Sequence, residues 1–367
     1  MLCAVQTFLV LFLVLTAVSA MAVPGFTQTI AQTTSIDQEV LGLLEQHNVP
    51  SVSIAEIEDG RIVRVSAYGM QTASEPATPR TLYNIASMTK PISAETELRL
   101  ISDGAFGLDE PIYKIWVDPD IANDPRNKRL TPRICLSHLT GFASNWRSSM
   151  GNVLQFKNDP GKVYLYSGEG YEYLSHFVEK KTGANLEENA KRLVFGPIGM
   201  KDTSYIRQLW FEGRVATPAY ESSKWLTSNY ATQPVASDLL YTTAEDYAKF
   251  LLSVMRNDGL SEPIAEERSR VQFSLKPEIC PHVKKGLCPD AIGPGLGWQI
   301  AQIKDKKFLT HTGHDPGLYT FGYVSADTRS GIVIFTNGEN GSKLVLPILR
   351  TLGRDQDFVE FLAAMIP

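Results

Sequence analysis

Ser87-Met88-Thr89-Lys90 places a hydroxyl and an amine three residues apart, and Tyr166-Ser167-Gly168 and His311-Thr312-Gly313 follow it in that order. Positions three apart on a helix share a face, so the Lys90 amine can take a proton from the Ser87 hydroxyl. The chemistry open to such a set is acyl transfer through a serine ester, with the Tyr166 phenol as a second proton carrier. Ser-x-x-Lys alone arises about once by chance in a chain this long. Tyr166, lying in Val163-Tyr164-Leu165-Tyr166, would on its own read as core. The ordered set carries the reading, not any one member.

The nucleophile needs a particular local structure. Leu82-Tyr83-Asn84-Ile85-Ala86 runs apolar into Ser87, and Pro91 to Ile101 continues as a helix, with Pro91 tolerable only near its first turn. Ser87 is therefore expected at a helix N-terminus. There the free N–H groups and the positive end of the dipole favour an alkoxide and disfavour an ammonium.

Ile85-Ala86-Ser87-Met88-Thr89-Lys90-Pro91, Leu136-Ser137-His138-Leu139-Thr140-Gly141-Phe142, Tyr166-Ser167-Gly168-Glu169-Gly170-Tyr171, Gly295-Leu296-Gly297-Trp298 and His311-Thr312-Gly313 together resemble the landmarks of the serine β-lactamase-related family. That family groups class C β-lactamases, D-alanyl-D-alanine carboxypeptidases, related esterases and D-amino-acid amidases. The resemblance runs from about Ser35 onward. It implies an α+β, β-lactamase/transpeptidase-like fold: an antiparallel sheet flanked by helices, with an inserted mainly helical region. It also implies that Ser87 is the acylated nucleophile, Lys90 its base or proton relay, and Tyr166 a second acid/base whose pKa the neighbouring amine lowers. His311-Thr312-Gly313 would be an edge strand beside the cleft, and the backbone N–H groups of His314 and Ser87 would form the oxyanion hole. Two departures stand out. Gly168 occupies the place where many members carry an asparagine that holds a substrate carbonyl, and His311 stands where class C enzymes usually have lysine. A charge for a substrate carboxylate would then depend on pH. Both changes point away from a dedicated β-lactamase.

The residues around these landmarks read as an α+β domain. Ser51 to Ile57 and Arg61 to Tyr68 form a hairpin about Glu58-Asp59-Gly60, and strand-like runs recur near Trp298–Ile303, Lys307–Thr312, Tyr319–Val324 and Ile332–Thr336. These ends are expected to share one antiparallel sheet, as a sheet part over 35–115 and 290–367. The intervening 116–289 reads as helix and loop. Thr242-Thr243-Ala244-Glu245-Asp246 is a capping signature, with Tyr247, Phe250, Leu251 and Val254 at helical spacing behind it. The cleft is expected between the two parts, with Asn145–Asn158 and Tyr220–Pro234 as the loops that select substrate. Asp315 and Glu169 sit close enough to the motifs to line it, or serve a turn and a helix start.

Charged residues make up 20% of the 367 and the net charge is −5, with no basic patch, so a nucleic-acid partner is not expected. The six histidines are scattered and His-Glu-x-x-His is missing, which gives no support to a metal site. No Gly-x-Ser-x-Gly elbow is present. No cofactor is expected, and the partner is a small ester, amide or peptide. Phe8 to Val18 is an apolar run followed by Ser19-Ala20-Met21-Ala22, which reads as a signal peptide over 1–22 and a linker over 23–34. A retained membrane anchor is the alternative. Either way the catalytic part is outside the cytoplasm, secreted or periplasmic. Cys280 and Cys288 flank a short basic loop that a disulfide can close, and Cys135 reads as a buried small hydrophobe. The function expected is an exported serine hydrolase acting on a small ester or peptide-like amide. A penicillin-interacting D-alanyl-D-alanine carboxypeptidase or β-lactamase is one alternative, and a non-catalytic binding protein on the same fold is the other.

Overall fold

The computed structural model describes residues 35–143, 151, 153–284 and 286–365. The signal and linker over 1–34, and part of the Asn145–Asn158 loop, lie outside the described residues.

Strands β1 (Ser51–Glu58) and β2 (Arg61–Gly69) form the expected hairpin. Its turn residues Asp59 and Gly60 both have left-handed φ, 50° and 71°, the combination that matches the twist of two antiparallel strands. β3 (Tyr83–Asn84) and β4 (Tyr241–Thr242) make a separate short pair. β5 (Ala291–Pro294), β6 (Gln299–Ile303), β7 (Lys306–Asp315), β8 (Leu318–Ser325) and β9 (Ser330–Thr336) complete the main sheet, in the order β2-β1-β9-β8-β7-β6-β5 and antiparallel throughout. The N-terminal hairpin thus docks on the last strand.

Helices are α1 (Ser35–His47), α2 (Thr89–Ser102), α3 (Pro132–Leu136), α4 (Glu169–Thr182), α5 (Leu186–Ala190), α6 (Gly196–Ile198), α7 (Ala244–Met255), α8 (Glu262–Arg268), α9 (Lys276–Ile279), α10 (Ser342–Leu352) and α11 (Gln356–Met365). Successive strand residues point to opposite faces, and both faces of the sheet are covered. Ile332 and Ile334 of β9 pack with Val40 of α1, Leu344 of α10 and Phe358 of α11. Val333 and Phe335 pack with the opposite core, which includes Ile92 of α2 and Phe250 of α7. Thr243 caps α7, its side chain accepting from the Asp246 N–H at 3.1 Å, as the capping signature predicts.

The helix that carries Lys90 is wholly enclosed. Every residue of α2 from Thr89 to Ile101 is buried, although the segment contains two glutamates, an arginine, a lysine and several hydroxyls. Many of its polar groups find partners in the surrounding helical part. Ser93 Oγ donates to Ala236 O at 2.6 Å, Arg268 donates to Glu95 at 3.2 Å, and Arg99 donates to Ser253 Oγ at 2.7 Å. Cys135 is likewise buried, and Cys280 and Cys288 are joined by a disulfide with a Cα–Cα distance of 5.2 Å.

Gly297 seats α2 against the sheet. It has φ +86°, and a Cβ there would stand 2.2 Å from Ala94 Cβ, so the glycine read from Gly295-Leu296-Gly297 marks a close backbone approach. Gly297→Ala is expected to cost at least about 2 kcal/mol, since strain at positive φ and overpacking add. An unchanged midpoint in chemical denaturation would contradict this account of the seat.

Candidate active site

The sequence between Thr81 and Ile101 is buried except at Ser87. Ala86 to Met88 form a single 3-10 turn that leads directly into α2, so Ser87 lies one turn ahead of the helix and Lys90 in its first turn. Ala86 enters this turn with φ +45°, a conformation that an L residue with a Cβ avoids. The turn lifts the Ser87 hydroxyl out of the core while the Lys90 side chain stays inside it.

Lys90 Nζ lies 2.9 Å from Ser87 Oγ and donates to Ser237 O at 2.8 Å. The Tyr166 ring centroid is 4.8 Å from the same nitrogen and that of Tyr171 is 5.9 Å away. Burial lowers the Lys90 pKa to about 8, against the opposing pull of Asp238, Glu172 and Asp315. Burial acts on Tyr166 in the other direction. Its phenol is pushed above the ordinary range, and interaction with the Ser87 hydroxyl only partly offsets this. The expectation that the amine lowers the Tyr166 pKa is therefore corrected: loss of water, with the Asp238 and Asp315 carboxyl groups acting in the same direction, raises it, and the phenol keeps its proton.

Tyr166 is held from below by His138. Ser167 N–H donates to His138 Nδ1 at 3.2 Å, and the two rings are 4.4 Å apart. Burial keeps the His138 pKa well below the usual value, so the ring is neutral, and its Nδ1 also lies 3.2 Å from Ser167 O. Gly168 follows as the residue that starts α4, with φ −67° and no side chain to reach into the cleft.

β7 supplies the opposite wall. β6 pairs with it only from Lys306 to Thr310, whereas β8 pairs as far as Asp315, so His311 to Asp315 have no strand on the β6 side. This open edge lies against the nucleophile turn. A Cβ on Gly313 would stand 2.2 Å from Ile85 O and 3.2 Å from Ala86 Cβ, which is why glycine is required there. Alternation places His311, Gly313 and Asp315 on the cleft face and exposes Thr312 and His314 on the other. The His314 imidazole is turned to Glu339, 3.3 Å away, and so does not line the cleft. His311 is buried, its Nδ1 lies 2.7 Å from Thr312 O, and its ring centroid is 6.3 Å from that of Tyr166. Burial, then Lys90, lower its pKa to about 3. The expected pH-conditional charge at His311 is corrected accordingly: the ring is neutral throughout the neutral range.

Several residues close to Lys90 carry no motif. Glu172, in the first turn of α4, accepts from Ala236 N at 3.1 Å, Ser237 N at 3.0 Å and Ser237 Oγ at 2.6 Å. It thereby sets the carbonyl that Lys90 meets. Asp238 and Asp315 face one another at a cleft of about 670 Å³ also lined by Asn84, Leu226, Asn229 and Val235. Burial first, then Asp315, raise Asp238 to about 7, and burial also raises Asp315. Of these, Asp315 is placed by its nearness to the histidine motif, and Leu226 and Asn229 by the Tyr220–Pro234 loop. Glu172, Ser237 and Asp238 act through contacts across more than sixty residues, for which the sequence holds no periodic signal.

Comparison with known proteins bears on the family and the fold. The Beta-lactamase family model matches residues 36–352. Penicillin-binding protein 4* of Bacillus subtilis (strain 168) is 24% identical over 343 residues, covering 85% of this chain and 73% of that protein. Protein flp of Staphylococcus aureus (strain N315) is 23% identical over 332 residues, and the match takes in 82% of this chain but 62% of the flp length. Among solved structures, the octameric penicillin-binding protein homologue from Pyrococcus abyssi superposes with a TM-score of 0.69 at 21% identity, covering 83% of this chain and 73% of that one. The D-alanine carboxypeptidase AmpC from Burkholderia cenocepacia gives 0.68 at 18%, covering 86% and 97%. The fold is that of the β-lactamases and transpeptidases, and by the family match the chain belongs to the Beta-lactamase family.

Proposed function

We propose that this chain is an exported serine hydrolase that forms an acyl-Ser87 intermediate from a small ester or peptide-like amide. The observation that carries the reading is the 2.9 Å contact between Ser87 Oγ and a fully buried Lys90 amine whose pKa is about 8. An amine so placed is neutral in about one molecule in ten at pH 7 and in about half at pH 8, and in that form can accept the hydroxyl proton.

In the first step, Lys90 takes the Ser87 proton as Oγ attacks the substrate carbonyl. The oxyanion is received by the Ser87 and His314 N–H groups, each such donor being worth about 2.7–4 kcal/mol in the transition state. Tyr166, kept protonated by burial, passes its proton to the departing alcohol or amine and is reprotonated by the Lys90 ammonium. Water then enters, gives up a proton along the same route in reverse, and releases the acid.

Site chemistry supports a substrate without a free carboxylate. His311 is neutral, Gly168 offers no amide, and the 670 Å³ cavity adjoining the site, whose described lining includes Asp238 and Asp315 but not Ser87, Lys90, Tyr166 or His311, holds neither lysine nor arginine. A carboxypeptidase substrate and a penicillin both carry a carboxylate, which two carboxyl groups at the cleft disfavour. Export rests on the apolar Phe8 to Val18 run with its small-residue end, and the Cys280–Cys288 disulfide suits an oxidising compartment.

Burst-phase kinetics on a short-chain p-nitrophenyl ester test the proposal. Ser87→Ala is expected to remove the burst and lower turnover by about 10³-fold or more, and Lys90→Ala and Tyr166→Phe to cost about 10²–10⁴-fold each. Their combination should cost far less than the product of the single losses, because the three act as a unit. Equal, negligible rates in the wild type and Ser87→Ala would instead favour a non-catalytic binding protein.

The pH profile follows from the Lys90 shift. The neutral amine is the competent form, so the acylation rate should rise with pH, reach half its maximum near pH 8 and plateau above. A rate independent of pH between 6 and 10 would contradict Lys90 as the base.

Benzylpenicillin separates the substrate classes. Intact-protein mass spectrometry should find little or no adduct under conditions in which the ester acylates Ser87 fully; a stoichiometric adduct would move the assignment to a penicillin-interacting enzyme.

A further inference from the structure

The nucleophile turn is tied to the end of β7 by a single side chain. Asn84, buried in β3, sits two residues before the strained Ala86. Its Oδ1 accepts the Ala86 N–H at 2.8 Å, and its Nδ2 donates to Asp315 Oδ2 at 3.2 Å. The two partners fix which end of the amide is which, since an N–H requires the oxygen and a carboxylate requires the NH₂. The amide therefore cannot flip without breaking both bonds.

Other bonds hold the turn to the fold but not to the β7 edge. Thr320 Oγ1 of β8 donates to Ile85 O at 2.9 Å, Thr89 Oγ1 donates to Ala86 O at 2.7 Å, and Ile85 N donates to Leu240 O at 3.0 Å. Among the hydrogen bonds of the described residues, only those of the Asn84 amide join the residue before Ser87 to the residue after His314.

We propose that Asn84 and Asp315 form a clamp that sets the spacing between the Ser87 and His314 backbone N–H groups, making Asn84 a positioning residue for acylation. The inference rests on the reading of Ser87 as nucleophile and of those two N–H groups as the oxyanion hole. The clamp spans the hole from outside: one end restrains the turn that presents Ser87 N–H, and the other restrains the strand end that presents His314 N–H. Oxyanion stabilisation depends on both donors meeting one atom, so a small relaxation at either end lowers the rate without removing any catalytic group.

The test exchanges the two partners. Asn84→Asp keeps an acceptor for the Ala86 N–H but replaces the donor to Asp315 with a second carboxylate. Its acylation rate, read as the burst of p-nitrophenyl acetate on the whole chain, is expected to fall about 10- to 100-fold. In the double variant Asn84→Asp with Asp315→Asn, the amide at position 315 donates to the carboxylate at position 84 and the link re-forms with reversed polarity. Acylation by the double variant should return to within about threefold of Asp315→Asn alone. Thermal melts of all four proteins separate lost folding from lost positioning. If Asn84→Asp acylates at the wild-type rate, or if the double variant loses the product of the two single effects, the clamp is overturned. A wild type that forms no acyl-enzyme overturns the reading of Ser87 and the clamp with it. A wild-type burst with unrescued variants overturns the clamp alone.

Discussion

The removal of the Lys90 amine from water is the constraint on which the site depends. An ammonium in a dry environment is costly, and the chain answers with one carbonyl, one hydroxyl and two aromatic faces, with Asp238, Glu172 and Asp315 farther off as partial compensation. To keep that amine dry, α2 must be enclosed on all sides. α5, α8 and α4 pack on it, Lys90 and Ser93 bond the carbonyls of Ser237 and Ala236, and its apolar residues join the core shared with α7 and the sheet. The close approach of Gly297 to Ala94 belongs to the same enclosure.

One physical cause assigns different roles to two proton carriers. Burial disfavours whichever form is charged, so it lowers an amine and raises a phenol. In the proposed mechanism this suits Lys90 to act as a base near neutrality and Tyr166 as an acid, while His311 and His138 are held neutral. The acidic pair Asp238 and Asp315 limits how far the Lys90 shift can go, because each stabilises the ammonium. On the proposed reading, their place beside Lys90 bears on the base as well as on the selection of substrate.

Much of the fold was legible because its signals are local. The β1–β2 hairpin announces itself through alternation and Asp59-Gly60, the strands from β6 to β9 through β-branched and aromatic runs, and α7 through its cap. The order of the Ser87, Tyr166 and His311 motifs indicates the family, and the structure brings all three to one cleft. What the sequence hides is long-range or set by burial. α2 reads as a polar helix, yet it is buried throughout, and Lys90, Glu95 and Arg99 meet their partners inside the molecule, so no periodicity reveals its enclosure. β5 is only four residues long, and the β3–β4 pair that delivers Asn84 and the Ser237–Asp238 segment has two residues a side. The sign of the Tyr166 shift and the neutrality of His311 could not be read from residue types, since each is decided by how much water the fold excludes.

The most direct test of the account is an NMR titration of Lys90 in protein selectively labelled with ¹³C-lysine, with the resonance assigned by its loss in Lys90→Arg. The account predicts a midpoint near pH 8, well below that of the exposed lysines. A midpoint at or above about 10, the ordinary lysine range, would mean that Lys90 stays charged through the neutral range and cannot be the base that activates Ser87.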